Sequence, residues 1–251
     1  MSITEQLLAP FGSVSLEDTE AVKLLNRVDA KYVFHVRQLI PILKQLQDHY
    51  QALEIGGIRL QRYQTLYFDT PGKLMYLHHH NGRQNRYKVR SRKYLDTGVC
   101  YFEIKFKNNR GRTVKKRILH EGPQEIISGK TEMLLTSLTR FTPEMLRPAL
   151  WVNYSRITLV NPDRTERITI DTGLQYRQNE KESDYPDLII AELKQEKTAG
   201  SLFERILHQN HITGTNISKY CLGTITLDHH IKQNRFKEKL ILINKLNHDN
   251  H

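Results

Sequence analysis

Residues 85–94 read NRYKVRSRKY, and every second residue from Arg86 to Arg92 carries a positive charge. An alternation with a period of two places side chains on one face of a β-strand. Residues 101–107, YFEIKFK, repeat the pattern, with charged residues in one parity and Phe102, Ile104 and Phe106 in the other. The two stretches therefore predict neighbouring strands that separate charged from apolar side chains.

The same parity recurs in other segments that have the character of strands. Lys115 and Arg117 alternate with apolar residues, as do Arg167 and Asp171, and then Glu192 and Lys194. A single strand of this kind is explained by a charged face in contact with water. Several such strands require one shared surface on which their charged side chains lie. Two arrangements satisfy it: an open sheet with a broad cationic face, or a closed barrel with charges in its lumen and helices outside. Because unpaired buried cations lose several kcal/mol each to desolvation, such a lumen must be wet or filled by a polyanion.

Composition limits the classes of protein that the chain can belong to. Its 251 residues are enough for one sizeable domain, and no apolar run approaches the roughly 18 residues of a membrane-spanning helix. Two cysteines and the absence of a signal-peptide pattern favour a cytoplasmic protein without a disulfide framework. The formal net charge of +11 indicates an anionic partner.

Periodicity and turn signals predict strands and helices in an α+β fold, with a short additional piece at 174–176. The predicted strands are 27–34, 60–69, 84–94, 99–107, 112–120, 147–160, 164–171 and 187–196. Helices are predicted at 16–26, 37–50, 122–140 and 201–209, from about 216, and at 229–247, where the helix has a basic face. The acidic segment 178–186 is expected to be a link.

Common catalytic motifs are missing from the sequence. It contains no glycine-rich P-loop, no spaced cysteine or histidine cluster for zinc and no serine nucleophile elbow. A phosphate site would therefore be built from side chains that project from strands, with carboxylates available to bind a divalent ion.

Eight short segments in order resemble the vacuolar transporter chaperone (VTC) domain, the polyphosphate polymerase branch of the CYTH or triphosphate tunnel metalloenzyme superfamily. They are RVDAKY (27–32), LYFDT (66–70), the alternation at 86–92, FEIK (102–105), YSR (154–156), ERITID (166–171), AELK (191–194) and ISKY (217–220). The match spans about residues 20–225 of what is expected to be a single domain, 1–251. The resemblance implies an eight-stranded antiparallel β-barrel, or triphosphate tunnel, with a charged lumen and flanking helices. It also implies metal-dependent transfer of the terminal phosphoryl group of ATP to a growing polyphosphate chain.

The resemblance also assigns residues. Those implied to be catalytic are Lys31, Arg90, Arg92, Lys105, Arg156 and Lys219. Those implied to bind phosphate are Lys115, Arg167 and Ser218, and Lys88, Lys107 and Lys194 are added to them because they lie on the same strand faces. Glu192 is the implied ligand of Mn²⁺ or Mg²⁺, with Glu103 and Asp171 as further candidates. For each cation the alternative interpretation is a structural ion pair with a neighbouring carboxylate.

One departure from the wider superfamily bears on the reaction. Many tunnel enzymes begin with Glu-x-Glu-x-Lys, whereas this chain has Arg27-x-Asp29-x-Lys31. Fewer carboxylates give weaker support for a second metal that would activate water, which favours transfer over hydrolysis. Polyphosphate polymerase is the leading hypothesis, and the alternatives are a tripolyphosphatase or nucleoside triphosphatase and a non-catalytic module that binds polyphosphate or another polyanion.

The expected ligands are ATP and polyphosphate or triphosphate. Nucleic acid is not expected, because the cations alternate with carboxylates on inward faces instead of forming an exposed stripe with stacking aromatics. Eukaryotic members of the family also carry a regulatory inositol-phosphate sensor and a membrane anchor. Neither is visible in this sequence, so coupling to transport would require a separate membrane partner.

Overall fold

The structure is a computed structural model that describes residues 3–21, 27–123, 125–196 and 200–248. Its strands are β1 (Gly12–Val14), β2 (Arg27–His35), β3 (Gln51–Leu53), β4 (Gln61–Asp69), β5 (Arg86–Tyr94), β6 (Cys100–Lys107), β7 (Thr113–Leu119), β8 (Arg147–Val160), β9 (Glu166–Gln178), β10 (Lys181–Tyr185) and β11 (Leu188–Glu196). Its α-helices are α1 (Ile3–Leu8), α2 (Leu16–Ala21), α3 (Leu39–Leu46), α4 (Leu74–His80), α5 (Lys130–Leu138), α6 (Leu202–Gln209), α7 (Lys219–Leu227) and α8 (Lys237–His248). Short 3₁₀ turns occupy Val36–Gln38, Pro143–Met145 and Asn234–Phe236.

Eight strands form the main path of one sheet in the order β2-β11-β9-β8-β4-β5-β6-β7. Every neighbouring pair on this path is antiparallel. Strand β10 adds a hairpin to β9, and the short parallel pair β1 and β3 attaches to the end of β8. The predicted α+β class with an antiparallel sheet and flanking helices is confirmed.

The sheet curls so that its first and sixth strands approach the same point. Lys31 of β2 donates to the carbonyl oxygen of Ile217 at 3.2 Å, and Lys88 of β5 donates to the hydroxyl of Ser218 at 2.9 Å. Because Ile217 and Ser218 are adjacent, both strands must reach the start of α7. The face that carries Lys31 and Lys88 is called the concave face below.

Apolar side chains fill one part of the concave face. Helices α7 and α8 pack there against residues of β8, β9 and β11, in a buried cluster that includes Val152, Tyr176, Ile190, Leu222 and Ile243. The remaining part of the concave face keeps the charged side chains. Helices α7 and α8 therefore fill one region of the concave face, which is called the plug below, and leave a polar region beside it.

The opposite, convex face is apolar and is covered by helices in two regions. Helices α1, α3 and α6 cover β2, β9 and β11 through residues such as Leu43 and Phe203, which are fully buried. Helix α5 covers β4, β5 and β6, where Leu135 packs with Phe102 and Ile104. Each such side chain contributes about 1.5–3 kcal/mol when it is fully buried. This burial keeps the apolar residues of each strand on the convex face. The charged residues that alternate with them must therefore lie on the concave face.

In the part of the chain that the structure describes, the sheet does not close. The predicted closed eight-stranded barrel is therefore corrected to an open, curled sheet. Strands β2 and β7 are the two ends of the main path and do not pair. Residues 214–215 occupy the outer edge of β2 instead, where the amide of Thr215 donates to the carbonyl oxygen of Lys31 at 2.7 Å and Tyr32 bridges to Gly214. The edge that a closed barrel would offer to β7 is therefore already occupied.

Three predicted boundaries also differ from the structure. The segment 178–186 contains β10, because Asn179, with a φ of 54°, makes a two-residue turn that returns the chain along β9. The helix predicted at 122–140 is limited to α5, because Gly129 has a positive φ just before it. The helix predicted at 229–247 begins only at Lys237, and residues 22–26 of the one predicted at 16–26 lie outside the described residues.

Within the described ranges, no helix has the length and apolar character required to span a bilayer. Cys100 and Cys221 are both buried and free.

Replacing Gly223 with alanine tests how tightly α7 seats on the sheet. The added Cβ would lie 2.2 Å from Cδ1 of Tyr176 and 2.8 Å from Cδ2 of Leu150. We expect Gly223→Ala to lower the free energy of unfolding by about 1–3 kcal/mol, measured by urea denaturation, because overpacking exceeds the gain in helix propensity. Gly72→Ala, where no atom lies within 4 Å, is the control. Equal stability of the two variants would show that α7 is loosely packed.

Candidate functional site

The register of the sheet brings the predicted cations together on the concave face. Cross-strand partners there are Lys31 with Glu192, Lys194 with Arg167, Arg156 with Asp171, Arg90 with Glu103, Lys88 with Lys105, and Lys105 with Lys115. Directly opposite residues have Cβ atoms about 4.5–5.5 Å apart. A set of charges that is scattered over the sequence is therefore one continuous surface in the fold.

Glu103 of β6 is held between two predicted phosphate-binding residues. The guanidinium of Arg90 donates to its Oε2 at 2.6 Å, and the ammonium of Lys115 pairs with its Oε1. The Glu103 side chain is fully buried. Burial alone would raise the pKa of Glu103, but the charges of Arg90, Arg92 and Lys115 outweigh it and hold the pKa well below its ordinary value.

Asp171 of β9 has an equivalent position on the other side of the face. Arg156 donates to both of its oxygens, at 2.6 and 2.8 Å, and Lys219 pairs with Oδ2. Burial would raise the pKa of Asp171, but these two cations outweigh it and lower the pKa. The geometry of Glu103 and Asp171 supports the structural ion-pair interpretation for these two carboxylates.

Glu192 lies in a more open setting, with a quarter of its side chain exposed. Lys194 pairs with Oε1 of Glu192 and also with Oδ2 of Asp29, at 3.3 Å. Burial would raise the pKa of Glu192, but the charges of Lys194 and Lys31 outweigh it and hold the pKa well below its ordinary value. Glu192 is therefore ionised and stands beside a second carboxylate.

Other cations of the face are surrounded mainly by positive charge. The charge of Arg90 is the largest cause that lowers the pKa of Lys105 well below its ordinary value, followed by burial and by Arg92. Burial also lowers the pKa values of Lys31 and Lys88. An anion bound among these groups would relieve the repulsion and replace lost hydration.

The start of α7 brings Ser218 and Lys219 to the face. The hydroxyl of Ser218 accepts from the amide of Cys221 at 3.4 Å, which caps the helix, and it also accepts from Lys88. At the far end of β6, Lys107 is exposed and lies opposite Arg86. The structure therefore places Ser218 and Lys219 beside the ion-pair clusters and Lys107 at the rim.

Tyrosines complete the face, and reasoning from sequence assigned them no role. The rings of Tyr63 and Tyr154 stack with centroids 5.1 Å apart, and the guanidinium of Arg156 lies 5.3 Å from both centroids. Arg92 lies 5.5 Å from the Tyr63 ring and donates to Thr65 at 3.3 Å. The sequence signal that could have identified them is that Tyr63, Thr65 and Tyr67 occupy alternate positions of β4 and so share one face.

Tyr67 responds to the same positive field. Its hydroxyl accepts from Arg90 at 3.3 Å, and its ring stacks on Tyr220 with centroids 5.0 Å apart. Burial would raise the pKa of Tyr67, but the charges of Arg90, Arg92 and Lys88 outweigh it and lower the pKa to about 8. The positive field of the face therefore favours the phenolate of Tyr67 more than water favours that of an ordinary tyrosine.

The donor set fits a divalent ion that is shared with a phosphate ligand. Magnesium is usually bound by one or two carboxylates together with substrate phosphate oxygens. Asp29 and Glu192 supply two carboxylates that already share one ammonium group. Within the described residues, no group of three or more aspartates, glutamates, histidines or cysteines could bind a metal by itself.

The fold is a curled antiparallel sheet with flanking helices, and the site is its concave face, which carries the charged side chains. The sequence matches the family description "VTC domain" over residues 26–228, which is most of the chain. The chain therefore belongs to the VTC domain family.

Two solved structures are similar to the chain at low sequence identity, and the first of them shares its fold. A Hippeastrum protein, a candidate adenylyl cyclase with a dominant triphosphatase activity, is 14% identical with a TM-score of 0.50, over 81% of this chain and all of that one. A candidate adenylate cyclase from Vibrio parahaemolyticus is 12% identical with a TM-score of 0.45, over 77% of this chain and 94% of that one. A comparison with curated proteins finds no match.

Asp171→Asn tests whether this carboxylate is structural. The change leaves Arg156 and Lys219 without their counter-charge, so we expect the free energy of unfolding to fall by about 3–5 kcal/mol. Denaturation in urea measures the loss, and Asp163→Asn in an exposed turn is the control. A variant of ordinary stability that no longer bound Mn²⁺ would instead identify Asp171 as a metal ligand.

The pKa of Tyr67 predicts a pH dependence of triphosphate binding. Above pH 8 its phenolate adds a negative charge beside the cations, so affinity for tripolyphosphate should fall by up to about tenfold at pH 9. Calorimetric titration without metal measures the change. Tyr67→Phe should lack this step and keep only the decline that comes from deprotonation of the lysines. A step at pH 8 that persisted in Tyr67→Phe would contradict the assignment.

Proposed function

We propose that the protein is a metal-dependent polyphosphate polymerase that transfers the terminal phosphoryl group of ATP to a growing polyphosphate chain on the concave face. The observation that carries the proposal is the surplus of positive charge around Lys105, whose pKa is lowered chiefly by Arg90. Membership of the VTC domain family supports the same reaction. A face of this kind is matched by a ligand with closely spaced negative charges.

Phosphoryl transfer requires positioning and charge stabilisation more than covalent chemistry by the protein. Arg90 and Arg156 are already fixed by their carboxylate partners, so their remaining donors are pre-oriented toward the face. Lys105 and Lys31 supply point charges, whereas the guanidinium groups can bind two oxygens at once. Together these side chains would hold the donor triphosphate in line with the end of the acceptor chain.

Asp29 and Glu192 would hold the Mg²⁺ or Mn²⁺ ion, which when bound supplies charge neutralisation on the phosphate oxygens. The side chain of Ser218 would add a hydroxyl donor beside the ammonium group of Lys88.

The chemistry of the carboxylates favours transfer over hydrolysis. Glu103, Asp171 and Glu192 each have a pKa below the ordinary value, which makes them weak bases for activating water. The terminal oxygen of a polyphosphate chain is already anionic and needs no base to remove a proton. This argument supports a phosphate acceptor.

Two other functions compete with this proposal. A tripolyphosphatase or nucleoside triphosphatase is the second candidate, and the Hippeastrum protein of the same fold has a dominant triphosphatase activity. A non-catalytic module that binds polyphosphate or another polyanion is the third. The products of ATP turnover distinguish the three.

The decisive assay incubates the purified protein with ATP and Mn²⁺ or Mg²⁺ and resolves the products by size. We expect ADP and long polyphosphate, with a loss of at least about 100-fold in Lys105→Ala and Glu192→Ala, since each removes charge stabilisation from the transferring group. Lys116→Ala, which removes an exposed charge opposite Ile104, is the control and should keep activity. Orthophosphate without chains would establish the hydrolase, and binding of triphosphate without turnover would establish the binding module.

A further inference from the structure

Lys194 occupies an unusual position among the cations of the concave face. It lies opposite Asp29 on β2 and opposite Arg167 on β9, and Glu192 precedes it by two residues on the same strand. Its ammonium contacts Oε1 of Glu192 and lies 3.3 Å from Oδ2 of Asp29. One side chain therefore joins the two carboxylates that stand side by side at this edge of the face.

This contact differs from the other ion pairs of the face in its surroundings. Glu103 and Asp171 are buried, and each is held by two cations that include an arginine fork. Glu192 and Asp29 have side chains that are 25% and 42% exposed. An incoming ion can therefore reach the carboxylates of Glu192 and Asp29 from solvent, whereas those of Glu103 and Asp171 are enclosed.

Electrostatics makes the ammonium group and a divalent ion alternatives at this position. Two ionised carboxylates close together repel each other unless a cation lies between them, and the flexible lysine side chain supplies that cation. A divalent ion would neutralise the carboxylates more fully, but it could not share the space between them with the ammonium group. The neighbouring charge of Arg167 would also disfavour two cations in contact with one carboxylate pair.

We propose that Lys194 is an internal counter-ion that holds the metal site of the metal-free protein and is displaced when a divalent cation binds Asp29 and Glu192. The displaced ammonium remains on the concave face, where it becomes available to phosphate oxygens. Lys194 is thus a positioning residue that exchanges carboxylate partners for phosphate partners. The inference rests on the proposed function for the identity of the ligands, but the exchange itself is a property of metal binding.

The test measures Mn²⁺ binding by electron paramagnetic resonance of the free ion, without nucleotide or turnover. In Lys194→Met the competing charge is gone, so we expect Mn²⁺ affinity to rise about tenfold, within the usual range of coupling between sites. Thermal unfolding of the same variant should show a lower midpoint without metal and a larger upward shift with Mn²⁺. Lys194→Gln provides a second neutral variant if the methionine variant folds poorly.

Two controls separate a local exchange from a general effect of charge. Lys194→Arg keeps the cation and should bind Mn²⁺ as the unmodified protein does. Lys116→Met removes an exposed charge opposite Ile104, which lies off the concave face, and it should leave Mn²⁺ affinity within about twofold.

Equal Mn²⁺ affinity in Lys194→Met and the unmodified protein would overturn the inference, and so would an equal rise in Lys116→Met. Absence of Mn²⁺ binding in every protein would also overturn it. None of these results decides between a polymerase and a hydrolase, because that choice depends on the products formed from ATP. Failure of the inference and failure of the proposed function are therefore distinguishable.

Discussion

The structure depends on buried carboxylates that each neutralise two cations. Glu103 joins Arg90 to Lys115, and Asp171 joins Arg156 to Lys219, so cations that would otherwise repel each other across the concave face are held at fixed positions. Without these pairs, the desolvation of so many charges would oppose the curl of the sheet. These pairs neutralise only part of the positive charge of the concave face. A bound polyanion would contact the excess positive charge around Lys105. The same interactions therefore stabilise the fold and pre-orient the site.

Helix α7 connects the packing of the sheet to the chemistry of the face. Its apolar side is seated where Gly223 allows close approach to Tyr176, and its first residues then place Ser218 and Lys219 among the charges. Strands at different places in the sheet converge on that helix start, because Lys31 and Lys88 both donate to it. A shift in how α7 packs would consequently move Ser218 and Lys219, which are proposed to contact phosphate, as well as core residues. The plug of the concave face is thus part of the site and not only a cover.

The sequence was sufficient for the eight strands of the main path and for which of their residues share a face, because an alternation with a period of two can be seen within each strand, but β1, β3 and β10 were not predicted. Parity correctly placed Arg90, Lys105 and Glu192 on one surface. Closure of the sheet could not be predicted in this way, since it depends on whether residues 214–215 or β7 take the edge of β2. The partners of each charge were equally hidden, because parity gives the face of a side chain but not which carboxylate it contacts. The roles of Tyr63 and Tyr67 were missed because aromatic residues in a strand are ordinarily core residues.

The arrangement of carboxylates on the concave face bears on what kind of acceptor it can use. A hydrolase must deprotonate or strongly polarise water, which calls for a carboxylate with a raised pKa or for a second metal. Here burial would raise the pKa values of Glu103 and Asp171, but in both cases the paired cations reverse the effect. The charges proposed to bind a triphosphate therefore also lower the pKa values of Glu103 and Asp171, which weakens both carboxylates as bases. A nucleophile that arrives already ionised escapes this conflict, and the end of a polyphosphate chain is such a nucleophile. In the proposed polymerase reaction, the product of each transfer carries the same terminal group as the acceptor, so the same pairs would serve every transfer.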